Sequence, residues 1–229
     1  MHHKSNMIVF VSYYMGRVGS SMMMGLLENA GLNTGTGVIR KPSVINKKGI
    51  FEIKKHNHLL SRFYKGYYPD TGEPPSLDLV SSIAKRYATS YYEYLTEVAT
   101  DKYPLALKSP RCLSLPLAFT LKDRFDIRII RLTRDIEDQV RSIKKVWKSF
   151  GNDSQKNCSS DDIRDYVEKW IMFSDNIYRE YPFESIEFDF DSIFESTKNE
   201  IERLGAFIGV TISQENARSW IDVGLISKQ

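Results

Sequence analysis

Four short runs rich in β-branched and aromatic residues, IVFVSY (8–13), PLALK (104–108), DIRIIRL (126–132) and SIEFDF (185–190), are separated by stretches with helical spacing of apolar residues. Strands joined through helices need long crossovers, and crossovers of that kind connect parallel strands. The alternation therefore predicts an α/β fold of three layers, with a mostly parallel central sheet flanked by helices. Helices are expected over about 21–30, 77–100, 136–149, 160–180, 192–208 and 213–222, the first ended by Gly31 in the left-handed conformation. A length of 229 residues lies within what one such domain occupies, so a single domain over 1–229 is expected.

Open parallel sheets bind ligands where strands end and helices begin, which directs attention to the turn after the first run. There the chain reads Gly16-Arg17-Val18-Gly19-Ser20-Ser21. Glycines let the backbone curl so that successive N–H groups point inward, and the following helix presents its positive end. Two serine hydroxyls and a permanently charged, forked guanidinium complete the parts of a cradle for phosphate or sulfate. Neither GxxxxGK[ST] nor GxGxxG is present. The plainer alternative is a strand-to-helix turn capped by serine, with its arginine in solvent.

A second turn has similar chemistry. DIRIIRLTRDIEDQVRSI delivers Arg131 and Arg134 to the end of the third run, with Ser142 about two helical turns further on. Arg134 and Ser142 can grip one anion if the serine faces back toward the loop. Otherwise Arg134 forms a surface ion pair with Asp135 or Asp138.

Composition narrows the partners. Lys and Arg number 32 against 29 Asp and Glu, and a net charge of +3 is too small to argue for broad nucleic-acid or membrane binding. Any anion preference is local. Cys112 and Cys158 form no CxxC motif, which fits a reducing compartment. The polar start MHHKSN, with His2 and His3 set aside, and an apolar run that reaches Tyr13 and Tyr14 early fit neither a signal core nor a membrane span. A cytoplasmic protein is expected. The irregular stretch 34–58 reads as a lid or a substrate-binding segment.

Taken together, the two turns resemble the sulfotransferase family, whose donor is 3′-phosphoadenosine 5′-phosphosulfate (PAPS). GRVGSS is similar to that family's 5′-phosphosulfate loop, in the version with arginine where many members have lysine, and the RxxxxxxxS of Arg134 and Ser142 resembles its 3′-phosphate motif. KKGIFEIKKHNHLL (47–60), LALKSPRCLSLPL (105–117) and FDFDSIFESTKNEIERLGAFIGV (188–210) look like the GxFE, K-x-P-R and YEDL segments of bacterial members. The resemblance touches most of the chain from residue 8 to about 210. It departs where Pro110 replaces the histidine base of cytosolic animal enzymes, and where their RKGxxG segment has no counterpart.

The resemblance implies a P-loop-type fold and in-line sulfuryl transfer from PAPS to a hydroxyl or amine of a small-molecule or glycan acceptor, releasing 3′,5′-ADP without a metal. Gly16, Arg17, Val18, Gly19, Ser20 and Ser21 would hold the 5′-phosphosulfate, and Arg134 with Ser142 the 3′-phosphate. Arg17 first and Lys108 second would stabilise charge on the bridging oxygen. Glu52 is the candidate base, with His56 and His58 as alternatives; an ion pair to Lys54, Lys55 or a donor-binding cation is its structural alternative. Residues 34–100 would form an acceptor-side insertion and lid that supplies the acceptor pocket, and Tyr91, Tyr92 and Tyr94 either line that pocket or pack their helix, the second being the commoner fate. Phe190 either neighbours the adenine or packs in the core, and Trp147, Trp170 and Trp220 read as core. The competing functions are a nucleotide-dependent kinase of the wider P-loop group and a non-catalytic module that binds a nucleotide or sulfate.

Overall fold

A strand with every residue buried needs cover on both faces, and Met7–Tyr13, the first strand, is such a strand. The computed structural model describes residues 6–35, 38–39, 51–65, 73–99 and 102–221. Along the chain β1 (Met7–Tyr13) is followed by α1 (Ser20–Asn29), the two-residue strands β2 (Val38–Ile39) and β3 (Glu52–Ile53), α2 (Lys54–Phe63), α3 (Leu77–Ala99), β4 (Leu105–Pro110) and α4 (Leu115–Phe119). Then come β5 (Asp126–Thr133), α5 (Ile136–Phe150), α6 (Asp153–Lys156), α7 (Ser160–Glu180), β6 (Glu184–Asp189), α8 (Ser192–Glu195), α9 (Thr197–Ile208) and α10 (Gln214–Arg218).

The four runs singled out in the sequence form one parallel sheet in the order β4-β1-β5-β6. Its interior position makes β1 the core of the molecule: Ile8, Val9, Phe10 and Val11 have no measurable exposure. Each such side chain contributes about 1.5–3 kcal/mol on burial. Val11 stands opposite Lys108 of β4 and Ser12 opposite Arg131 of β5, a register that fixes the relative heights of the charged residues. All three strands thus point their carboxyl ends the same way, and the turns behind them gather at one edge.

Gly31 ends α1 at φ 90, as the sequence suggests. Two segments differ from expectation. The stretch 34–58 is not wholly irregular: β2 pairs antiparallel with β3, and α2 begins at Lys54, while residues 36–37 and 40–50 lie outside the described residues. His56, Leu60 and Phe63 form the buried stripe that holds α2 in place. The helix expected over 192–208 breaks at Ser196, whose φ of −130 is not helical. Beside the break, Thr197 Oγ1 donates to the carbonyl of Ile193 at 2.8 Å, a side-chain bond that competes with the helical ladder. Of the tryptophans, Trp170 is fully buried, whereas Trp147 and Trp220 are partly buried against the core. Among the described residues no helix is long and apolar enough to cross a membrane.

Candidate functional site

The turn between β1 and α1 is held from outside by two side chains. Gln139 Nε2 donates to the Gly16 carbonyl at 2.9 Å, and Arg134 Nη1 donates to the Arg17 carbonyl at 3.0 Å. In a trans peptide the carbonyl and the next N–H point in opposite directions. The amides of Arg17 and Val18 therefore face away from these donors. Arg17 and Gly19 take left-handed φ values of 76 and 80, which bend the turn tightly, and Val18 is buried as its anchor. Gly19 is fixed twice over, since a Cβ there would meet the Phe190 ring at 2.4 Å. It precedes the first residue of α1, whose N-terminus receives no side-chain cap. A left-handed turn leading into an uncapped helix start is the backbone geometry of an anion cradle.

Side chains from the second turn close on the first. Arg17 Nε donates to Ser142 Oγ at 3.0 Å. Arg134 lies over the Phe190 ring at 4.5 Å, and Tyr14 Oη donates to the Arg134 carbonyl at 3.4 Å. Both guanidinium pKa values are lowered, Arg17's by burial and then by the charge of Arg134, and Arg134's chiefly by burial. Asp191, Asp189 and Asp135 act the other way on Arg134, so this cation has acidic neighbours as well. Arginine keeps its proton in either case. Like charges held side by side in a partly buried place favour a bound anion. Arg134 Nε, itself buried, has no hydrogen-bond partner among the described residues.

A third cation comes from β4. Lys108 is 5% exposed, and its Nζ donates to Ser21 Oγ at 2.9 Å. Burial lowers its pKa to about 8, while the Glu52 carboxylate acts in the opposite direction. Glu52 also accepts a bond from Asn57 Nδ2 at 2.7 Å, so the first turn of α2 orients the carboxylate. Lys55, one alternative partner for Glu52, is ion-paired with Glu97 instead.

Other candidates are placed elsewhere or serve packing. His56 is 2% exposed, stacked on Tyr94 with centroids 5.2 Å apart and with Nε2 3.2 Å from Tyr91 Oη. Burial drives its pKa down to about 3, and such a ring has no access to an acceptor proton. His58 is exposed. Tyr91 and Tyr94 are buried helix-packing residues, and Tyr92 lies against Phe125 and Arg124. Arg131 is spent on Asp175, Glu187 and the face of Tyr178. Asp138, offered as a partner for Arg134, pairs with Arg141. Among the described residues no three His, Cys, Asp or Glu side chains gather as a metal ion would require.

Four contributors lie outside the sequence-derived set: Tyr14, Gln139, Asn57 and Arg111. Gln139 carried a signal, being a polar residue inside a helix whose neighbours Val140 and Ile143 are buried. Arg111 borders a cleft of about 270 Å³ that opens beside Arg17 between the end of β4, α5 and α7. Among the described residues of 34–100, the segment expected to supply the acceptor pocket, none lines this cleft.

No protein-family model matches the chain, and no curated protein matches it. In structure it is similar to a sulfotransferase domain from the curacin biosynthetic pathway, over 100% of this chain and 82% of that one, with a TM-score of 0.52 and 11% sequence identity. The sulfotransferase domain from the Synechococcus PCC 7002 olefin synthase aligns over 99% of this chain and 82% of its own, with a TM-score of 0.49 and 14% identity. At such identity the likeness to the curacin domain is one of architecture: the parallel β4-β1-β5-β6 sheet and its flanking helices form an α/β fold that the two chains share.

Proposed function

We propose that this chain is a sulfotransferase that moves the sulfuryl group of PAPS to a hydroxyl or amine of a small-molecule or glycan acceptor and releases 3′,5′-ADP. One observation carries the reading: residues of two turns more than a hundred positions apart are joined by the Arg17–Ser142 and Arg134–Arg17 bonds, 125 and 117 residues apart. A doubly anionic nucleotide is a ligand suited to two cations set in this way.

In this reading the loop amides with Ser20 and Ser21 hold the 5′-phosphate, and Arg134 holds the 3′-phosphate. The acceptor oxygen or nitrogen bonds to sulfur as the sulfur–oxygen bond to the 5′-phosphate breaks, and the phosphate keeps the electron pair. Arg17 and Lys108 stabilise the charge that grows on that leaving oxygen, which is the main service a protein gives to such a transfer. Glu52, oriented by Asn57, takes the acceptor's proton. The test is calorimetry with 3′,5′-ADP, followed by its release from PAPS in the presence of phenols, sugars and amines. Absence of 3′,5′-ADP binding, or magnesium-dependent ATP turnover in place of PAPS turnover, overturns the proposal.

A further inference from the structure

Gln139 is a polar residue with no measurable exposure, on the buried side of α5 with Val140 and Ile143. A side chain so placed has to satisfy an acceptor and an N–H₂ group without water. One end is satisfied: Nε2 donates to the Gly16 carbonyl at 2.9 Å, across 123 residues of chain. The other end is not, since Gln139 Oε1 is buried and has no hydrogen-bond partner among the described residues. A buried acceptor left unmet is unfavourable, and a methionine of nearly the same shape would fill the space without it. Packing alone therefore does not account for an amide here.

The peptide that Gln139 holds has a second orientation open to it. Arg17 is not a glycine, yet its φ is 76, a left-handed value that L-residues adopt only against a steric cost. Half a turn of the Gly16–Arg17 peptide plane would return Arg17 to negative φ, and the matching change in ψ falls on a glycine, which accepts it. The same rotation would carry the Gly16 carbonyl into the cradle and bring the Arg17 N–H round to Gln139, whose amide can turn its idle oxygen to receive it. One side chain thus serves either orientation. The two are not equal toward a ligand, because a carbonyl oxygen aimed into the cradle repels phosphate or sulfate, and the observed orientation keeps it out. The next carbonyl, that of Arg17, has its own anchor in Arg134.

We propose that Gln139 is a positioning residue: its buried amide holds the Gly16–Arg17 peptide in the orientation that admits the 5′-phosphate, and the reversed peptide, bonded to the same amide, is the closed form of the cradle. The identity of the anion as the donor's 5′-phosphate rests on the sulfotransferase reading. The orientation of the peptide does not.

The experiment is calorimetry of the full chain with 3′,5′-ADP, adenosine 3′-monophosphate and inorganic sulfate, on the parent, Gln139→Met and Gln139→Glu. The methionine deletes the donor and the idle acceptor together, so its thermal midpoint should stay within about 4 °C of the parent's. Its affinity for 3′,5′-ADP and for sulfate should fall about tenfold or more, while adenosine 3′-monophosphate, which has no 5′-phosphate to enter the turn, should bind within about twofold of the parent. Gln139→Glu, measured at pH 8, keeps the shape and offers only acceptors, which favours the reversed peptide. It should lose at least as much affinity as the methionine does, and it keeps the test open if Gln139→Met does not fold. Equal weakening of all three ligands, unchanged 3′,5′-ADP affinity in either variant, or loss of the fold in both overturns the proposal. If Gln139→Met weakens sulfate but 3′,5′-ADP binds the parent no more tightly than sulfate does, the donor reading falls and the peptide assignment stands. A parent that binds neither anion overturns both.

Discussion

Arg17 Nε and Ser142 Oγ are 3.0 Å apart, and the bond between them ties the first turn of the sheet to α5 across 125 residues of chain. The guanidinium is thereby held beside the cradle before any ligand arrives. A charge fixed in advance stabilises a developing oxyanion without reorganisation at the moment of reaction.

Arg17→Ala is expected to slow transfer by roughly a hundredfold or more and to change 3′,5′-ADP affinity only a few-fold, as for a group that acts mainly in the transition state. Product release measured beside calorimetry separates the two effects. A matching loss of affinity and rate would instead make Arg17 a simple binding residue.

Lys108 should give the proposed transfer an alkaline limb. Its folded pKa is about 8, so the ammonium is charged below that pH and is lost as pH rises through it. The kcat/KM for PAPS should fall through about pH 8, and Lys108→Arg should remove that limb. Stability runs the other way. Between about pH 8 and 10.5 the unfolded chain still binds the proton that the folded protein has released, so the contribution of this site to stability rises with pH. Lys108→Met should be more stable than the parent by about 2 kcal/mol at pH 7, and the advantage should shrink toward pH 10 in urea titrations.

His56 predicts acid sensitivity of the fold. Burial takes its pKa from 6.5 to about 3. Between those values the unfolded chain takes up a proton that the folded protein refuses, so stability falls as pH falls from about 6.5 toward 3. At pH 4.5 the loss should be about 2 kcal/mol relative to pH 7. Thermal unfolding at the two pH values should show a smaller difference in His56→Phe than in the parent.

Gly19→Ala places a Cβ 2.4 Å from Phe190 in a residue with φ 80. Strain and clash together should lower stability by about 2–3 kcal/mol and weaken 3′,5′-ADP binding. Adding Phe190→Ala should return the steric part and leave the backbone part, a coupling that a double-mutant cycle measures directly. Additivity of the two changes would mean that the ring does not confine the turn.

The sheet was legible because its strands are concentrated runs of Val, Ile, Leu and Phe, and the cradle because glycines, serines and an arginine follow the first of them. Less regular signals hid the rest. α2 starts on two lysines and has no side-chain cap, and its buried stripe begins with a histidine, so neither the usual start signal nor an apolar period marks it. At the break beside Ser196 the Thr197 hydroxyl bonds the Ile193 carbonyl, a contact that composition does not reveal. Gln139 and Asn57 matter through what they hold, the Gly16 carbonyl and the Glu52 carboxylate, and such contacts exist only once distant segments meet.

The register of β1 against its neighbours has a consequence for how this scaffold can change. Val11 faces Lys108 and Ser12 faces Arg131 across adjacent rungs, so the ladder works as a ruler that sets how far one charge-bearing strand end stands from the next. One residue inserted into β1 would turn every later side chain of that strand to the opposite face. Surface segments that lengthen or shorten elsewhere leave the ruler unmarked, and descendants of this chain are free to take new guests while keeping the old spacing of cations.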